Sequence, residues 1–529
     1  MNQSTKREPT VLPEIASNDL RPLILGYARL VVLYERLLGR QPNEEESIRG
    51  KNALTSRFGM LQQMLIVGCS KEARRNRGWF GRLVRCAEGS SAGPKIIRSL
   101  LCRPIVLSLE LLDYLLPGIS GKSIKTKTMA ITTNSNPTNN TIANSKRSPA
   151  QATTPFTPGL NIVGYLSGTF GLGEATRSLA LACIDSNIPV SGIDISDPTF
   201  CNPEDEPIAF TTLQDSPSTQ LLYVNGDATS STLNLLRLAN HPEPRYRIGF
   251  WHWEQPKLPL SYLEYFKQLD EIWVPSTFVL DAIAEISPRP IYKVPHTVSF
   301  TPSKNATRDR FGLPRDKQLV LVMFNFYSCY QRKNPHSAIA AFRSALKQHP
   351  SLGLVVKTQN GSKMPSEFAE LKELIRDIPN AILIDETFSR QQTWDLESCC
   401  DILLSLHRAE GFGLGPAEMM LLGKPVVATG WSANMDFMDA ENSMPVRYEL
   451  KPLLEHLPPY IQGPCWAEAD VEHAAWSLLR VAQDPAFAQR IGNRAKYTIQ
   501  SALSPSAVGQ RVADRLASIA RWQSLNGSI

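Results

Sequence analysis

Apolar residues in this chain come in short unbroken runs, and the runs alternate with stretches of helical spacing. NIVGYL (161–166), PVSGIDI (189–195), LLYVNG (221–226), RIGFW (247–251), EIWVPS (271–276) and IYKVPH (291–296) each read as a buried strand. Helical stretches lie between them. A second set begins at Gln318 with QLVLVMFNF and continues with LGLVVKT (352–358), AILIDET (381–387), Ile402 to Leu406 and PVVATG (425–430). Strands alternating with helices predict parallel sheets built from βαβ units. The pattern therefore predicts an α/β protein with two Rossmann-like domains, over 160–300 and 301–503. The helices after Pro485, up to Ser524, end the chain, with 504–529 expected to cross back to the first half.

The first 159 residues follow other patterns. Residues 1–20 read as disordered. Residues 21–117 read as a small helical domain, with apolar positions at helical spacing in LILGYARLVVLYERLLGR and ALTSRFGMLQQMLIVG. Residues 118–159 are rich in Thr, Asn, Ser and Pro and carry too few large apolar groups to order themselves, so a disordered linker is expected.

Charge sharpens this division. Residues 1–150 hold 23 Lys and Arg against 11 Asp and Glu, a net +12, while the rest holds 33 against 39, a net −6. A basic head on a mildly acidic body suits an anionic surface, and the cytoplasmic face of a membrane is the expected partner. A solvated basic helical face is the plain alternative. No nucleic-acid-binding motif is visible, so no nucleic-acid partner is expected. The start of the chain carries Lys6, Arg7, Glu8, Glu14 and Asp19 and is not a secretory signal. The most apolar stretch, 96–119, is interrupted by Arg98, Arg103, Glu110 and Asp113 and does not read as a membrane span. Nine scattered cysteines without a Cys-x-x-Cys favour a reducing compartment and no zinc site. The expected location is the cytoplasm, at the inner face of a membrane.

The candidate chemistry centres on LSLHRAEGFGLGPAEMM (404–420). A strand runs into the glycine-rich turn Gly411, Phe412, Gly413, Leu414, Gly415, and a helix follows over roughly Pro416 to Leu422, closed by Gly423 and Pro425. Glu410 precedes the turn and Glu418 follows it, eight residues on. Such a turn lies at the carboxyl end of a parallel strand, where ligands of open α/β sheets bind. Each acid taken alone is most simply a loop or helix-start carboxylate. In the first domain, Gly168 to Gly173 opens a helix beginning near Glu174. A dinucleotide site there is disfavoured, because the third glycine of Gly-x-Gly-x-x-Gly would fall at Thr176.

The string from Glu410 to Glu418, continued by GKPVVATGWSANMDFM, resembles the Glu-x7-Glu signature of family 4 retaining glycosyltransferases. The resemblance covers roughly Asn161 to Leu503 and implies the GT-B architecture, two Rossmann-like domains facing a cleft. It implies transfer of a hexose, with mannose from GDP-mannose the expected donor, to a glycan or lipid-linked acceptor of a surface polysaccharide such as lipopolysaccharide. Catalytic roles fall on Glu410 and Lys333. Donor contacts fall on Glu418, Gly411, Phe412, Gly413, Leu414, Gly415, Arg332, Asn325 and His407. Acceptor-side positions are Gly171, Gly173, Glu174, His252 and Glu254. Lys333, in Arg332-Lys333-Asn334-Pro335, matches the family's phosphate lysine, but Tyr327 stands where a further arginine is usual. Lys357 is a further cleft cation, and 385–388 is the place for the nucleobase. No cofactor and no metal are expected. LYERLLGRQPNEEE also resembles, over a short span, a small helical domain of unknown function attached to bacterial cell-surface enzymes. The competing readings are a sugar-nucleotide epimerase, an NAD-dependent enzyme and an inert scaffold docked to a glycan-assembly complex.

Overall fold

A computed structural model describes residues 158–197 and 217–526, with Cys201, Asn202, Asp205, Ile208 and Phe210 between them. The expectations for the basic head, the helical domain and the linker up to residue 157 lie outside the described residues. The described residues fall in one compact unit.

Two six-stranded parallel sheets form the body. The first contains β1 (Leu160–Gly164), β2 (Val190–Asp194), β3 (Thr219–Tyr223), β4 (Tyr246–Phe250), β5 (Glu271–Val274) and β6 (Ile291–Lys293), in the order β2-β1-β3-β4-β5-β6. The second contains β7 (Gln318–Asn325), β8 (Leu352–Gln359), β9 (Ile382–Asp385), β10 (Ile402–Ser405), β11 (Val426–Thr429) and β12 (Met444–Val446), in the order β12-β11-β10-β7-β8-β9. The continuous apolar runs are explained by burial on both faces: every residue of β1, β3 and β4 is buried. The chain builds outward from β7 to β8 and β9, then returns to place β10 on the other side of β7. Strand order reverses there, so the loops after β7 and β10 diverge and leave a crevice.

Three features go beyond the sequence reading. β12 is a three-residue edge strand containing Pro445, tolerated because an edge needs no full ladder. An antiparallel hairpin follows, β13 (Tyr448–Pro452) paired with β14 (Cys465–Ala469). The helix after the glycine turn spans Leu414–Leu421 and starts two residues before Pro416, because Gly413 takes the left-handed conformation (φ 96°) and releases the chain into the helix at once.

The helix Pro505–Asn526 packs on the helix Gly171–Asp185, and Val508, Val512 and Ile519 enter the first domain's core. Arg515 from the same helix pairs with Glu271, whose side chain is fully buried. The preceding helix Pro485–Ala502 packs on Leu414–Leu421, with Ile499 and Leu503 in the second domain's core. No described helix is long and apolar enough to cross a membrane.

Candidate active site

The loop after β7 carries the cations. Asn325 ends the strand, and its side chain accepts from the Tyr327 N–H and from Asn360 Nδ2. Cys329 then takes φ 65°, a conformation that costs a non-glycine residue energy, and starts the one-turn helix Tyr330–Lys333. Asn334, also left-handed, caps the helix Pro335–Gln348. This tight geometry turns Lys333 toward the loop after β10. Its Nζ lies 2.5 Å from Glu410 Oε1, and Arg332 Nη1 lies 3.3 Å from Glu410 Oε2.

Arg332 has a second function. It is buried, and its guanidinium donates to the carbonyls of Ala409 (2.7 Å) and Ser328 (2.9 Å). It clamps the backbone on either side of the Lys333–Glu410 contact, rather than extending freely into the cleft. The site's electrostatics follow from this packing. Burial opposes the charge of Glu410, but Lys333, Arg332 and His407 outweigh it and hold the carboxyl down at about 2. Lys333 is pushed below the ordinary lysine range, chiefly by burial and with help from the charge of Arg332, against the pull of Glu410. Arg332 thus lowers both groups, favouring the charged form of Glu410 and disfavouring that of Lys333.

Gly411, Phe412, Gly413, Leu414 and Gly415 line the same cavity, of about 1000 Å³, which also reaches Lys333, Glu410, Glu418, Gly171, His252 and Glu254. Glu418, almost fully buried, is bonded to the Arg390 guanidinium and accepts from Trp394 Nε1 at 3.2 Å. Fully buried Glu397 lies beside it. Burial and the Glu418 charge push the Glu397 carboxyl well above its usual range. Burial raises Glu418 as well, and Arg390 opposes the shift.

The structure holds several of the expected residues in packed networks. His407 does not line the cavity: it is fully buried, bonded to Ser405 Oγ and to Asn434 Oδ1, each at 3.0 Å, and so supports the turn from behind. Glu174 does not open on the cavity either. It is 2.9 Å from Arg177 and 3.0 Å from Arg390, forming an ion pair between the domains. Gly173 packs beneath the loop, where a Cβ would lie 2.1 Å from the Gly168 carbonyl oxygen. His252 lines the cavity but is buried, its Nε2 2.9 Å from His296 Nε2, and His296 Nδ1 is 2.9 Å from Tyr223 Oη. Burial lowers His252 to about 3, so both rings are neutral. Lys357 Nζ donates to the carbonyls of Thr358 (2.8 Å) and Glu386 (2.7 Å) beneath the Phe388 ring, and burial lowers it to about 8.

Arg390, Glu397, His296 and Tyr460 are absent from the sequence reading. For Arg390 the available signal is Ser389-x-x-Gln392, a capping box that starts a helix at Arg390, but that motif says nothing of what the guanidinium reaches. Among the described residues no group of three or more His, Cys, Asp or Glu is placed to hold a metal ion.

Residues 303–498 match the family model described as glycosyl transferases group 1. No curated protein matches the sequence. Among solved structures, HepE from Anabaena in complex with UDP-glucose is similar at 14% identity with a TM-score of 0.51, over 68% of this chain and 100% of that one. Sucrose-phosphate synthase from Thermosynechococcus elongatus is similar at 13% identity with a TM-score of 0.50, over 69% of this chain and 100% of that one. A mutant of S. aureus TarM gives 14% identity and a TM-score of 0.41, with 56% of this chain spanning about half, 55%, of that one. The two facing parallel sheets are the GT-B fold of HepE and sucrose-phosphate synthase, and residues 303–498, as a glycosyl transferases group 1 domain, make the chain a glycosyltransferase.

Proposed function

We propose that the protein is a retaining glycosyltransferase that moves a hexose, with mannose the first candidate, from a nucleoside-diphosphate sugar to a hydroxyl of a glycan or lipid-linked acceptor. The observation that carries this reading is the Lys333–Glu410 contact at the carboxyl ends of β7 and β10, beside a turn of glycine backbone. As the C1–O bond to the leaving diphosphate breaks, negative charge grows on phosphate and positive charge on the sugar ring. Lys333 faces the first and Glu410 the second, so both are stabilised more in the transition state than in the ground state. The new C1–O bond forms on the same face, and the acceptor hydroxyl gives its proton to the departing phosphate oxygen. Backbone N–H groups of Gly411 to Gly415 bind sugar and phosphate. Glu418, oriented by Arg390 and Trp394, takes the ribose hydroxyls. Lys333, with Arg332 behind it, supplies the positive charge, and no metal ion is invoked.

HepE, a structural neighbour, is solved with UDP-glucose, so UDP sugars stand beside GDP-mannose as donors to test. We assign the reaction to the inner face of a membrane, reached through the basic residues 1–150. The test is a mass-spectrometric panel of UDP-, GDP-, ADP- and dTDP-sugars, with and without membrane extract and with and without EDTA, beside Glu410→Ala. Release of one diphosphate, stimulated by extract, insensitive to EDTA and lost in the variant, is expected. Failure of every donor, with no nucleoside diphosphate bound by calorimetry, would overturn the reading in favour of an inert scaffold.

A further inference from the structure

The hairpin β13–β14 is not needed to connect the fold. Asp470 donates its backbone N–H to the Arg447 carbonyl at 2.8 Å, so the residues flanking the hairpin are already neighbours. The 22-residue excursion between them leaves the second domain and returns to the same point. Every residue of β13 is exposed, while β14 buries Trp466, Ala467 and Ala469, the last of them in the second domain's core.

Its contacts explain where it goes. At the tip, Tyr460 Oη donates to Glu254 Oε2 at 3.0 Å. The Ile461 N–H donates to Gln255 Oε1 at 3.1 Å, and Gln255 Nε2 donates to the Ile461 carbonyl at 2.8 Å. Trp466 Nε1 donates to the Glu254 carbonyl at 2.8 Å. Tyr460 and Gln255 are buried by this docking, which joins the second domain to the loop after β4 of the first. At the base, Glu468 accepts from Arg408 Nε (2.7 Å), Asn334 Nδ2 (3.2 Å) and Ser337 Oγ (3.1 Å). Arg408 lies two residues before Glu410, and Asn334 directly follows Lys333. The hairpin therefore spans from the two reacting-end residues to Glu254 in the opposite domain.

The tip lines the cavity with Leu457, Pro458 and Pro459, which together offer an apolar wall with one N–H and no charge. Glu254 and Asp227 line the first domain's side, with Tyr262 close to both. Glu254 Oε1 lies 3.4 Å from where a Cβ on Gly411 would be, so this carboxylate borders the glycine turn. An apolar wall facing two carboxylates suits a ring with a C–H face and a hydroxyl edge, whose hydroxyls donate to the acids. The same carboxylates repel an anionic ring.

We propose that the hairpin Tyr448–Ala469 is the acceptor-selecting element: its tip, docked through Tyr460 onto Glu254, walls the acceptor half of the cavity and receives a neutral pyranose. This rests on the reading of the chain as a transferase whose donor end is at Lys333 and Glu410.

The test is saturation-transfer NMR on the full chain with UDP or GDP present. The probes are methyl α-D-mannopyranoside, methyl α-D-glucopyranoside and, as the anionic control, α-D-glucose 1-phosphate. Wild type is expected to saturate a neutral glycoside and not the phosphate. Leu457→Asp, at a half-exposed position, and Tyr460→Ala are expected to weaken the glycoside signal at least fivefold, with Tyr460→Phe between them and wild type. Thermal midpoints confirm folding, and if Tyr460→Ala unfolds, Leu457→Asp carries the comparison. No glycoside signal in wild type, equal signals in wild type and Leu457→Asp, or equal saturation of the phosphate would each overturn the proposal. Calorimetry of UDP and GDP on the same samples reports separately on the donor end, so the two readings fail by different measurements.

Discussion

Arg390 Nε lies 3.0 Å from Glu174 Oε2, and the two residues belong to opposite domains. The same guanidinium holds Glu418. One cation therefore joins the donor-side acid to the start of the first domain's leading helix. Removing it leaves Glu174, Glu397 and Glu418 crowded without their common partner. Arg390→Gln is expected to cost about 3 kcal/mol at neutral pH, the usual consequence of breaking a buried pair from one side. The sign with pH follows from the acids. Losing the cation raises the folded-state pKa of Glu418 and Glu397 further above their unfolded values, so the variant loses stability as pH rises through the carboxylate range. Its deficit against wild type should shrink toward pH 4, and thermal unfolding across pH 4 to 7 measures this.

Lys333→Ala and Glu410→Gln should each lower transfer by about 10²–10³-fold, the scale for removing one preorganised group facing developing charge. Lys333→Ala should also weaken nucleoside-diphosphate binding. Steady-state kinetics with the donor found by the panel, beside calorimetry of the diphosphate, separates the two effects.

Diphosphate binding should show an alkaline limb below the ordinary lysine range, because the folded site depresses Lys333 and only its protonated form attracts phosphate. Glu410 raises the Lys333 pKa, so Glu410→Gln should move that limb to still lower pH. Calorimetric titrations of UDP and GDP from neutral pH upward check it. A limb at the same pH in both proteins would remove Lys333 as its source.

Gly173→Ala places a Cβ 2.1 Å from a backbone carbonyl, a neighbour that no rotamer change relieves. Overpacking of this kind costs about 1–3 kcal/mol. The displaced Gly168–Gly173 loop should also lower transfer. Gly171→Ala meets nothing within 4 Å and serves as the control in the same unfolding assay.

Arg515→Met should destabilise the first domain by about 3 kcal/mol, because Glu271 would remain buried with only the Tyr246 hydroxyl (2.9 Å) and the Trp273 indole N–H (2.8 Å) as donors. Chemical denaturation with tryptophan fluorescence reports on it, since Trp273 sits beside the changed pair.

The strands, the glycine turn and the Glu410–Glu418 spacing were legible in the sequence because each depends on a few consecutive residues: unbroken apolar runs, a φ only glycine takes freely, and a helix start. What the local pattern could not contain is strand order. Lys333 and Glu410 stand 77 positions apart and meet only because β10 returns to the side of β7. His407 reads as a cleft residue from its distance to Glu410 along the chain, yet the strand's direction buries it against Asn434. Glu174 reads as an acid facing the cleft, yet packing of the two domains gives it to Arg390. The hairpin was invisible for a different reason: all of β13 is exposed, so it carries no buried face to set an alternating pattern. Local chemistry thus determined the elements and the residues most suited to react. Tertiary packing alone decided which charges face each other across the cleft, because that depends on the order of strands and the closure of two domains.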